Sequence, residues 1–106
     1  MEKIEIAKKI DELDRKFSNY MNKIKEDNVM STLFPLEVAK LSTNISDHPT
    51  PPIEKYYSNK HSVLEWLAFY EEFQKNLNKE VRAEKHDHHG LHLLIEEIIV
   101  LIKQLL

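Results

Sequence analysis

Apolar residues recur along this chain at steps of three and four, the spacing of one helical face, and they rarely alternate as a half-buried strand requires. Ile6, Ile10, Leu13, Phe17, Tyr20 and Ile24 form the first such stripe and predict a helix from about residue 2 to about residue 28. On the other side, Glu5 with Lys9, Asp11 with Arg15 and Glu12 with Lys16 stand one turn apart and read as a solvated face of paired charges. A short second helix is expected after Ser31 and Thr32, which can cap it. Pro35 would sit in its first turn, with Leu36, Ala39 and Leu41 facing inward.

The pattern then breaks. Residues 42–61 hold Pro49, Pro51 and Pro52 among Ser, Thr, Asn and Asp, which predicts an extended connection with one helical turn after Pro52. Ile53, Tyr56 and Tyr57 are the side chains expected to pin it to the rest of the molecule. Ser62-Val63-Leu64-Glu65 has the form of a capping box and marks the start of a third helix. Its stripe runs Val63, Leu67, Tyr70, Phe73, Leu77 and Val81. Trp66 stands beside that stripe and is expected at the core boundary, where its indole N–H can find a partner.

The last stretch is the most apolar. Leu91, Ile95, Ile98, Ile102 and Leu105 keep a strict four-three step, Leu94, Ile99, Leu101 and Leu106 widen that face, and Leu93 with Val100 add a second apolar line. A helix apolar on more than one side is either central in a bundle or shared between subunits, and sharing of Leu91–Leu106 in a homodimer is the expectation. Glu96, Glu97 and Lys103 interrupt the run, which argues against a membrane span. The three-four phase also continues backward through His88 and Glu84 to Val63. Residues 62–105 are therefore readable either as one continuous helix or as a hairpin of two, with Gly90 as a left-handed stop between them. The hairpin is preferred, because one monomeric rod would leave a large apolar surface uncovered.

The expected architecture is thus all-α: one domain over residues 1–106, a small bundle of three long helices and one short one, and dimeric. A single glycine among 106 residues supports this, since β-rich folds need several at their turns. The chain has no cysteine, which removes disulfides, thiolate ligands and thiol nucleophiles from consideration. Its charged start, Met1-Glu2-Lys3-Ile4-Glu5, is unlike a signal peptide, and a cytoplasmic location is expected. A net charge of −3 lacks the basic excess of nucleic-acid binders.

Candidate chemistry concentrates in His86-Asp87-His88-His89-Gly90-Leu91-His92, which gathers four of the six histidines around the lone glycine. If the helix runs through, His88, His92 and Glu96 lie on one stripe and present two imidazoles and a carboxylate. That set suits zinc or another divalent transition metal with open positions. If a helix closes at Gly90, His86, His88 and His89 instead neutralise its carbonyl end or face a partner. In addition, Arg82 is followed by His88 after five residues and by His89 after six, a spacing that resembles the arginine–histidine signature of the HEPN ribonucleases. The resemblance implies an all-α dimer that cleaves RNA without metal, with Arg82 on the phosphate and His88 or His89 handling the proton.

No glycine-rich phosphate loop, nucleophile elbow or zincin pair is present. The reading preferred on sequence is therefore a non-enzymatic protein-interaction module, such as an adaptor, regulator or inhibitor. Its partner-binding candidates are Tyr56, Tyr57, Trp66, His86, His88 and His89, with the metal and ribonuclease readings as alternatives.

Overall fold

The computed structural model describes the backbone of residues 2–30, 48–80 and 89–106, and the side chains of 2–23, 48–77 and 90–106. Helix α1 spans Lys3–Met30, a 3-10 turn spans Ile53–Lys55, α2 spans Lys60–Glu80 and α3 spans His89–Leu105. Among the described residues there is no strand, so the all-α class holds. No helix among them is long and apolar enough to cross a membrane. The short helix expected after Ser31 lies outside the described residues.

Helix α3 is the centre of the packing. Its backbone lies close against both α1 and α2. Leu91, Ile95, Ile98, Ile99, Ile102 and Leu105 are all buried, and Leu94 and Leu101 pack half-buried at the margin. The broad apolar face of this helix is therefore consumed by two neighbours within one chain. Each such side chain removed from water contributes about 1.5–3 kcal/mol. The close packing of α2 on α3 also decides the hairpin question, since a continuous rod over 62–105 cannot lay its two halves side by side.

The first stripe is buried as expected through Ile6, Ile10, Leu13 and Phe17. It then continues at Met21, while Tyr20 is half-buried. In α2 the buried line is Val63, Trp66, Tyr70, Phe73 and Leu77, with Phe69 joining it. Trp66 is only 1% exposed, so the indole belongs to the core and Leu67 to its margin, the reverse of the sequence expectation. The cause is what covers it: the His48 ring lies edge-on at 5.1 Å and Tyr70 stacks at 6.2 Å. Phe17 meets Tyr70, Phe73 and Phe69 edge-to-face with ring centroids at 5.2, 5.0 and 6.1 Å.

Two local expectations are corrected. Helix α2 begins at Lys60, two residues before the capping-box serine, because Asn59 caps it. The Asn59 Oδ1 accepts from the amides of His61 at 3.0 Å and Ser62 at 3.4 Å. Glu65, released from a capping role, pairs instead with His61 Nε2 at 2.9 Å on the surface. Gly90 is not a left-handed stop either. It lies in the first turn of α3 with a negative φ, and residues 81–88, between α2 and α3, lie outside the described residues.

A Cβ added at Gly90 would sit 3.6 Å from Tyr20 Cε2, an ordinary contact. Gly90→Ala is therefore expected to stabilise the protein by about 0.4–1 kcal/mol, because the unfolded chain loses conformational freedom and the helix gains propensity. Thermal melts should show the variant unfolding a few degrees higher, and a fall in Tm would mean that the glycine serves a purpose other than helix geometry.

Candidate functional site

The polar centre of the described structure is formed by residues that the stripe pattern passes over. Asp11 and Asp14 stand three residues apart on α1, on a side that faces the segment 48–56. Asp11 accepts from the Ile53 amide through Oδ1 at 2.7 Å and from the Glu54 amide through Oδ2 at 2.9 Å. These are the free donors at the start of the 3-10 turn. Pro52, which precedes the turn, offers no side-chain cap of its own, so the carboxylate is supplied from another element. Ile53 is thereby held with its side chain fully buried. Partial burial raises the Asp11 carboxyl above the ordinary value of 3.8. The two amides oppose that shift, and the nearby Asp14 and Glu54 charges add to it.

Asp14 is the one charged residue in the described core, at 4% exposure. Its Oδ1 accepts from the Tyr70 hydroxyl of α2 and from His48 Nε2 at 2.6 Å. An ionised carboxylate only accepts, so it sets the imidazole in the tautomer that carries its proton on Nε2. Burial, followed by the Asp14 charge, pushes the Tyr70 phenol far above its ordinary value of 10.0. The hydroxyl consequently remains a donor at neutral pH and well above it.

The imidazole itself is enclosed by rings. It lies near-parallel to Phe17 at 6.3 Å and is met edge-on by Phe69 at 4.9 Å, Trp66 at 5.1 Å and Tyr70 at 6.4 Å. Taking a carboxylate out of water costs several kcal/mol, and the two donors with a polarisable ring wall offset that cost only while all are in place. Chemically, this arrangement locks a connection onto two helices.

The sequence candidates fall elsewhere. Arg82, His86 and His88 lie outside the described residues, as does the side chain of His89, so the ribonuclease spacing and that part of the cluster lie there too. His92 is half-buried and Glu96 exposed, one turn apart on α3, while their third member, His88, lies outside the described residues. Among the described residues no three His, Asp or Glu side chains converge as a metal site. Tyr57 packs half-buried against the core and Tyr56 is exposed, whereas Trp66 is enclosed by the protein's own rings. A readable signal for Asp14 does exist: it lies seven residues from Ala7 and from Met21, both buried, and so occupies a core register with a charge.

Removing the Tyr70 hydroxyl by Tyr70→Phe is expected to cost about 1–3 kcal/mol. Asp14→Ala should cost more, about 3–5 kcal/mol, because it strands both the hydroxyl and the imidazole N–H. Urea unfolding measures both, and equal stability of Asp14→Ala and wild type would contradict the role given to the carboxylate. The pH dependence has a definite sign. Tyr70 holds its proton more tightly folded than unfolded, so its contribution is intact below pH 10.0 and is lost as pH rises beyond it. Of the four tyrosines, Tyr70 should ionise only on unfolding. In an alkaline titration followed by phenolate absorbance, Tyr70→Phe should leave the amplitude before unfolding unchanged and reduce the amplitude at unfolding.

Comparison with family models, with curated proteins and with solved structures gives no match for this chain.

Proposed function

We propose that this protein is a non-enzymatic interaction module, an adaptor, regulator or inhibitor that acts in the cytoplasm through helical and loop surfaces. The observation that carries this reading is what stays in water once the core is closed. Leu93 and Val100 on α3 are 54% and 51% exposed, whereas the helix's other apolar residues are buried or, like Leu94 and Leu101, half-buried. They stand two turns apart, roughly 10 Å along the helix, and form one line. Tyr56 and Leu64, at the approach to α2 and in its first turns, are exposed at 41% and 43%. The Asp14 cluster, by contrast, spends its polar groups on its own fold.

The two surfaces have separate roles in this reading. The Leu93–Val100 line is the contact between two copies, a two-fold interface through Leu91–Leu106 in which the same patch serves both subunits. The Tyr56–Leu64 side, rich in ring and aliphatic surface, receives the partner protein.

Substitutions at such exposed positions change folding stability by no more than about 0.5 kcal/mol, so loss of binding is separable from loss of structure. Sedimentation of the wild type at high micromolar concentration is expected to show a dimer, and Leu93→Lys with Val100→Lys a folded monomer. A partner captured from the native cell by the wild type should be lost with Tyr56→Lys and Leu64→Lys at unchanged circular dichroism. A wild-type monomer would remove the dimer from this reading, and identical captured proteins from both baits would remove the partner surface.

A further inference from the structure

His48 differs from the other core residues in one respect: it does not belong to a helix, yet its ring lies among the core rings of two. Its side chain is 16% exposed, and its polar contact is with Asp14. The walls around it come from two other elements. Phe17 and Asp14 are fixed on α1, while Trp66, Phe69 and Tyr70 are fixed on α2. Those rings also hold one another: Phe17 packs on Tyr70 and Phe69, and Trp66 stacks on Tyr70 at 6.2 Å. The connection that carries His48 has a second anchor five residues on, where Ile53 is buried and Asp11 binds two amides. The imidazole is thus an insert, held by its own chain in a slot whose walls belong to α1 and α2.

The chemistry of the slot is specific. A buried carboxylate at its base demands an N–H donor, and an uncharged apolar ring would leave that carboxylate short of one partner. The ring walls demand a flat guest, packed edge-to-face against Trp66, Phe69 and Tyr70 as the His48 ring is. We infer that the seam between α1 and α2 is a binding cage for a planar imidazole-type base, and that His48 is its tethered resident, closing the site in cis. Because the resident ring is tethered and its connection is anchored again at Ile53, it outcompetes free imidazole in the wild type, and free imidazole enters once that ring is removed.

The test is chemical rescue of the full chain. His48→Ala is expected to melt below the wild type. Imidazole at neutral pH should raise its Tm saturably, by roughly 5 °C when the ligand is about tenfold above its Kd. The wild type should show no such saturable rise, benzene should not replace imidazole, and adding Asp14→Asn should abolish the effect. Nuclear Overhauser contacts from the imidazole ring protons to Trp66 and Phe69 should place the guest in the seam. If His48→Ala is unfolded alone, imidazole should restore its helical circular dichroism. An equal response of wild type and variant, an equal effect of benzene, contacts to other residues, or no recovery of an unfolded variant would each overturn the inference.

Discussion

A carboxylate buried at 4% exposure is the constraint on which the rest of this structure depends. Asp14 cannot lie between two helices unless donors reach it there, and those donors come from elements far apart in the chain: Tyr70 is 56 residues away and His48 is 34. One oxygen therefore fixes three things together, namely the rotation of α1, the rotation of α2 and the position of the connection. The energetic logic is that of a lock. Completed, it offsets its own desolvation, and with one donor missing it becomes a liability of several kcal/mol.

Around that lock, two kinds of adhesion divide the work. Helix α3 joins α1 and α2 by non-directional burial of Leu and Ile, which tolerates small shifts and supplies most of the stabilisation. Across the α1–α2 seam the backbones stand further apart, and aromatic rings in edge-to-face contact fill the space. Rings of that size leave few alternative packings, and the histidine inserted among them carries a proton donor from the connection to Asp14. Apolar mass thus holds the bundle together while the polar cluster selects its arrangement. Asp11 extends that selection by one turn of α1, seating the 3-10 turn that buries Ile53.

The helical elements were legible because periodicity is a local property. The stripe from Leu91 to Leu105 is buried at each of its five strict positions, and Ile6, Ile10, Leu13 and Phe17 behave likewise. Legibility failed where a residue's role depends on a remote partner. Asp11 looks like half of a surface pair with Arg15 until the amides of Ile53 and Glu54 are brought to it. Trp66 looks marginal by spacing, yet the His48 ring and Tyr70 cover it. The capping box at Ser62 lost to Asn59 because a start two residues earlier satisfies amides with a side chain already in place. The histidine cluster at 86–92 drew attention by its count, whereas the described histidine that reaches a buried carboxylate is His48, in a proline-containing stretch.

By itself, the sequence determined the class of fold, the faces of the helices and the surplus of apolar surface on the last one, since each follows from side-chain spacing along a single backbone. Only the tertiary structure decided that the last two helices form a hairpin, that the last helix spends its wide face on two neighbours, and that Asp14, His48 and Tyr70 meet. The physical reason is that hydrophobic burial is encoded by local repetition, whereas a buried charge is admissible only through donors that the chain brings together by folding.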